Sequence, residues 1–225
     1  MKLAYLITFI TTMAAGLVPV GVFNSMVDSL WHFQGNQIVK QNFPFDERIA
    51  KTNRLLNTYK KADYNCILLG SSRTIALREE YLEKKGDRCF NYSVRGGRVE
   101  EYIVFSRFIK SLGIEPQRVY VAIDGFNFTH KFRSRGRKIQ DDMIRTGEMP
   151  TIEPVYRAYL SWDVLAFNYQ MNVAKREQSR ITYDETLQGR IRENLPDYKP
   201  KFEEKWKSIK CNTRKSQYYV TVKNI

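Results

Sequence analysis

Histidine is nearly missing from this chain: among its 225 residues only His32 and His130 occur. Little imidazole is therefore on hand to activate a serine hydroxyl. Cysteine is scarce as well. Cys66, Cys89 and Cys211 make an odd number, which excludes a complete disulfide framework. Cys66 falls in an apolar strand candidate and Cys89 opens another, so both read as small buried residues rather than as a bridge. No internal repeat and no low-complexity tract is found. Hydrophobic residues at 43% and aromatics at 13% exclude a disordered composition. Nothing in the residue pattern calls for a metal or another cofactor.

Charge is also absent, but only locally. Between Leu3 and Val27 there is none. Such a run meets the roughly 20 residues that a bilayer-spanning helix needs. Lys2 precedes it and the next basic residue is Lys40, so the positive-inside rule puts the N-terminus in the cytoplasm and the bulk of the chain outside. The small residues Thr12 to Gly16 would suit a signal-peptidase site. The apolar run continues past them through Leu17, Val18, Val20, Val22 and Phe23, which favours an uncleaved anchor. Trp31 and Phe33 are expected at the outer interface. The expected localisation is therefore a single-pass protein of the inner (cytoplasmic) membrane with an extracytoplasmic, periplasmic domain.

What the chain has in excess is positive charge. The formal net charge is +13, densest in "KFRSRGRK", Lys131 to Lys138. The topology argues against nucleic acid as the partner. Anionic headgroups, an anionic surface polymer or a solvated loop suit the charge better.

The order of elements is legible from residue 40 onward. "DERIAKTNRLLNTYKKA" places Ile49, Leu55, Leu56 and Tyr59 at helical spacing. "CILL" is a short buried strand, "TIALREEYLEKKG" a helix ending at Gly86, and "RCFNYSV" a second strand. "RVEEYIVFSRFIKSLG" is the clearest helix, with Val99, Tyr102, Ile103, Phe105, Ile109 and Leu112 on one stripe and Gly113 as its stop. "QRVYVAI" is a third strand leading to Asp124. Alternating strands and helices with short links predict an α/β domain with a parallel sheet. Beyond Phe128 the pattern turns helical in "EPVYRAYLSWDVLAFNYQMNVAKRE" and "PDYKPKFEEKWKSIK", with "YYVTV" a weak fourth strand. The division expected is an anchor over 1–27, a connector and helix over 28–63, and an α/β domain over 64–225 that carries a helical insertion from 128 onward.

In an open α/β sheet, ligands bind outside the carboxyl ends of the strands. Those ends carry Gly70-Ser71-Ser72-Arg73, Asn91-Tyr92-Ser93-Val94-Arg95-Gly96-Gly97 and Asp124-Gly125-Phe126-Asn127. A hydroxyl, glycine N–H groups and a side-chain amide are the parts of a nucleophile with an oxyanion hole. Arg73 and Asp124 form either an ion pair beneath the turn or a hold on an anionic substrate group.

These three stretches resemble the first three sequence blocks of the SGNH (GDSL-type) hydrolase superfamily. Gly70-Ser71-Ser72 resembles the Gly-x-Ser of the first block and implies Ser72 as nucleophile. Asn91 to Gly96 resembles Asn-x-Gly-x-x-Gly and implies Gly96 as an oxyanion donor. Gly125-Phe126-Asn127-Phe128 resembles Gly-x-Asn-Asp and implies the same role for Asn127. An anchor ahead of such a domain is similar to the DltD-like proteins of cell-surface polymer acylation. The resemblance implies a three-layer, flavodoxin-like parallel sheet and a serine esterase or O-acyltransferase for an acylated surface saccharide. The departures are Ser71 and Phe128 where the blocks carry Asp, and the missing Asp-x-x-His. His130, a few residues past the third strand, is either a surface-loop histidine or a substitute base. Without a base the activity is expected to be impaired, and the same fold would then serve as a non-catalytic glycan- or protein-binding module. The early end of the strand pattern reads as a sheet incomplete at its C-terminus, as a frameshift would leave it.

Overall fold

The computed structural model describes residues 2–83, 86–128, 138–149, 155–174, 181–184, 186–191 and 219–222. His130, the bulk of the Lys131–Lys138 run and the whole of "PDYKPKFEEKWKSIK" lie outside them. The chain divides into two compact units. The first gathers residues 1–62, 149–178 and 183–188; the second gathers 63–148, 179–182 and 189–225.

The first unit begins with α1 (Lys2–Val27), whose stretch Leu3–Val27 is long and apolar enough to cross a membrane. Its first four turns are exposed, and burial begins at Val20 and becomes complete at Asn24 and Val27. The helix stops at Asp28, a non-glycine residue in the left-handed region at φ 45°. The Asp28 carboxylate accepts from the backbone N–H groups of His32, Phe33 and Gly35, which folds the following loop back onto the helix end. Trp31, expected at a membrane interface, is buried instead, while Phe33 stays half exposed. Trp31 sits in the left-handed region at φ 57°, and it and its neighbour Leu30 are both buried.

Helix α2 (Glu47–Ala62) starts where the Asp46 side chain accepts from the N–H groups of Arg48 and Ile49, an ordinary N-cap. Ile49 and Leu55 are buried as their spacing predicts; Leu56, counted on the same stripe, is exposed. Helices α6 (Val155–Tyr159) and α7 (Trp162–Phe167) and a π-helical turn at Asn168–Val173 complete this unit. Three buried asparagines join them to α1 and to the loop before α2. Asn24 Nδ2 donates to the carbonyls of Tyr159 and Ser161, Asn168 Nδ2 donates to Asn24 Oδ1, and Asn172 both accepts from Phe43 N–H and donates to Phe43 O.

The second unit is a mixed α/β unit. Strands β1 (Cys66–Leu69), β2 (Cys89–Asn91) and β3 (Arg118–Ala122) form the expected parallel sheet, in the order β2-β1-β3. The weak fourth strand is present as β6 (Tyr219–Val222), and it runs antiparallel against β3. The register sets Cys66 directly opposite Cys89, and the two form a disulfide. This corrects the reading of both as free buried thiols: neighbouring parallel strands bring their Cα atoms to 4.2 Å, well within bonding reach.

Helix α4 (Val99–Ser111) buries Tyr102, Phe105 and Ile109, and Val104 beside them, whereas Ile103 faces solvent. Gly113 takes φ +73°, and the bonds Gly113 N–H to Lys110 O and Ile114 N–H to Ile109 O close the helix in a Schellman motif. Tyr64, Phe90, Tyr92 and Phe105 stack in series between sheet and helix at centroid spacings of 5.3, 5.3 and 4.3 Å. The helix expected from Thr74 begins later, as α3 (Glu79–Glu83); residues 72–76 are turns. Helix α5 (Lys138–Thr146) is joined to the start of α4 by an Arg98–Asp141 ion pair at 2.8 Å. A two-stranded ladder pairs β4 (Ile181–Tyr183) with β5 (Gly189–Ile191).

Candidate functional site at the carboxyl ends of β1, β2 and β3

Parallel strands deliver the three sequence blocks to one sheet edge, and the contacts there stitch them together pairwise. The first and second turns meet where Val94 N–H donates to Gly70 O at 3.0 Å. A Cβ on Gly97 would lie 2.6 Å from that same oxygen and 3.0 Å from the Tyr102 hydroxyl, so the backbone approaches closely enough to need glycine. The second and third turns meet where Val99 N–H, at the start of α4, donates to Asn127 Oδ1 at 3.2 Å. The first and third meet at Asp124. Its carboxylate accepts a short hydrogen bond from the Ser71 hydroxyl and pairs with Arg73 at 3.0 Å.

Each residue singled out in the sequence can now be placed. Ser72 lies in the turn after β1, half-buried, and its hydroxyl has no partner among the described residues. Ser71, one residue earlier, is buried and committed to Asp124. Gly96 sits in the turn after β2 at φ +59°, a conformation that favours glycine. Asn127 is in a 3₁₀ turn, Gly125–Phe128, that follows β3, and its N–H donates to Asp124 O at 3.0 Å. Its Oδ1 is used on α4, while its Nδ2 is buried without a hydrogen-bond partner among the described residues. A buried amide donor left unpaired costs about 1–3 kcal/mol, so a ligand oxygen delivered to it recovers that loss. Arg73 pairs with Asp124 through one nitrogen, and its side chain remains 61% exposed.

Two residues to which the sequence assigned no role of their own, Asn91 and Thr74, shape this edge. Asn91 ends β2 and donates from Nδ2 to the carbonyls of Thr74 and Leu77, while its Oδ1 accepts from Ser93 N–H. It therefore clamps the turn that carries Ser72. Thr74 Oγ1 is within hydrogen-bond distance of both Ser71 O and Ser93 Oγ, tying the same turn to the second block. No spacing rule announces these roles, because they depend on β1 and β2 lying side by side.

Among the described residues the arrangement offers an unpaired hydroxyl, a buried unpaired amide donor and an exposed guanidinium. It lacks a base among the described residues. His32 belongs to the first unit, where its Nδ1 lies 3.2 Å from the Tyr159 hydroxyl. Burial lowers the His32 pKa from its ordinary 6.5, with Asp28 opposing that shift. Burial, with Asp28 adding to it, raises the Tyr159 phenol far above its ordinary range. In the second unit, Asp87 accepts from Arg118 and Tyr120 near the amino ends of the strands. Those groups lie at the opposite sheet edge from Ser72. Cys66, Asp87 and Cys89 are also close enough to share an ion, but both sulfurs are engaged in the disulfide.

Comparison with protein-family models, with curated proteins and with solved structures returned no match.

Proposed function

We propose that this chain is a membrane-anchored, extracytoplasmic protein whose α/β unit carries an SGNH-like acyl-ester site of three-layer, flavodoxin-like type. In this reading it acts on acylated cell-surface saccharide as a serine esterase or O-acyltransferase. Ser72 supplies the hydroxyl and Asn127 Nδ2 and Gly96 face the developing oxyanion. The observation that carries the reading is that a Ser72 hydroxyl and a buried Asn127 Nδ2, both without a hydrogen-bond partner among the described residues, follow neighbouring strands at one sheet edge. Orientation is supported by the one-sided position of Lys2 and by the Cys66–Cys89 disulfide, which suits an oxidising compartment.

The chemistry is impaired. A serine hydroxyl is a poor nucleophile until an imidazole takes its proton, and Asp124 is engaged by Ser71 and Arg73 rather than orienting a histidine. Oxyanion donors alone leave an acceleration of roughly 10³-fold over water. That shortfall favours a second reading, in which the unit binds its glycan or a protein partner without turnover. Arg73 is then the group that meets an anionic substituent.

A serine-directed phosphonate and a simple acetyl ester test both readings on the full-length chain. Slow labelling that disappears in Ser72→Ala, with ester turnover near background, supports the impaired-esterase reading. Absence of labelling combined with retained binding of an acetylated or anionic oligosaccharide, weakened by Arg73→Ala, supports the binding module. Rapid labelling at Ser72 that His130→Ala abolishes overturns the impairment and makes His130 the base.

A further inference from the structure

From the first unit we infer a second membrane contact: the corner between α6 and α7, carrying Tyr156, Leu160 and Trp162, seats in the outer-leaflet interface of the bilayer that α1 crosses. This rests on α1 as the membrane-spanning segment. A hydrocarbon core about 30 Å thick accommodates about 20 residues at 1.5 Å per residue, which runs from Leu3 to near Val22. The corner is fixed to α1 at that depth. A Leu160 methyl lies 3.1 Å from where a Cβ on Gly21 would sit, and Asn24 holds the carbonyls of Tyr159 and Ser161. The segment from Tyr159 to Trp162 is therefore level with the last turn of the apolar run.

The corner is also built of the right residues. Trp162 is 65% exposed and Tyr156 59%, and Leu160 and Val155 are exposed beside them. Tyrosine and tryptophan, apolar rings with a polar tip, favour the headgroup boundary. Arg157 is exposed on the same short helix, with no ion pair among the described residues, and so is available to lipid phosphate. On α1 itself Val18, Val22 and Met26 remain exposed and, with Phe33, line an open apolar groove at the same level. Water would meet this surface only at a cost; acyl chains and headgroups match it.

The test uses the full-length chain reconstituted in phosphatidylcholine vesicles, with Trp31→Phe and Trp206→Phe leaving Trp162 as the one emitter. Lipids brominated near the headgroup end of the acyl chain are expected to remove most of its emission. Lipids brominated near the chain terminus should remove less, and aqueous iodide little. The same positions can be read in a Trp162→Cys, Cys211→Ser variant carrying a nitroxide, where collision with oxygen should exceed collision with a water-soluble nickel chelate. Release of the protein by alkaline carbonate overturns the anchor, and this contact with it. Retention in the vesicles together with strong iodide quenching, or with free access of the nickel chelate, overturns this contact alone.

Discussion

Ser71 and Ser72 are chain neighbours in opposite circumstances, and that difference is measurable. Ser71→Ala removes a hydrogen bond to the buried Asp124 carboxylate and is expected to cost about 1.5–3 kcal/mol in chemical denaturation. Ser72→Ala should stay within about 0.5 kcal/mol, as for a position without a structural partner. Equal losses would mean that the turn is set differently. Asn91→Ala leaves the carbonyls of Thr74 and Leu77 without their amide and should cost about 2–3 kcal/mol by the same measurement. The motif Gly70-Ser71-Ser72 was readable as a strand-end turn because a buried run precedes it. Which serine faces inward was not, since one step along the turn exchanges them. His32 adds a pH effect with a definite sign. Its folded pKa lies below the ordinary 6.5, so below that pH the unfolded chain binds the proton first. Stability is then full above about pH 6.5 and declines as pH falls toward the folded pKa. His32→Gln should flatten that part of a melting-temperature profile, and an unchanged profile would exclude His32 as its source.

Among the elements, the three strand cores lie where the sequence puts them because each is a short apolar run closed by a polar turn, and α4 does because its apolar residues recur at helical spacing before Gly113. The errors have physical causes of the opposite kind. Residues 72–76 share the helical pattern of "TIALREEYLEKKG" but form turns, because Asn91 engages the Thr74 and Leu77 carbonyls that a helix would use internally. The cysteine bridge was unreadable because it depends on strand register: Cys66 and Cys89 are 23 residues apart in sequence and opposite one another across the ladder. Closing a loop of that length is worth about 3 kcal/mol in the chain-entropy account. Cys66→Ala with Cys89→Ala should therefore lower the denaturation midpoint substantially. Thiol titration of the unreduced, denatured chain should find only Cys211 reactive; three reactive thiols would show that the bridge does not form. The antiparallel β6 was legible as β-prone sequence in "YYVTV", but its direction was not, because strand direction is decided by where the chain re-enters the sheet.

For the whole molecule, the asymmetry of Lys2 against an otherwise basic remainder predicts a single orientation in the membrane. A C-terminal reporter active only in the cytoplasm should be silent, and strong activity from it would reverse the assignment. Charge and hydropathy made the long apolar helix readable at once. The packing of residues 155–174 with it was not, because Asn24, Asn168 and Asn172 look like ordinary polar residues until their partners are known. Those asparagines, with Asp28, have a mechanical consequence. A flexible tether after a membrane helix lets a domain swivel, but here α1 passes into its unit through buried hydrogen bonds within one turn of its end. If α1 spans a bilayer, the helix and its unit form one lever, with the bilayer as fulcrum. A helix tilts when its apolar length exceeds the local membrane thickness. If α1 crosses a bilayer, a thinner one tilts it, and the first unit must lean by the same angle.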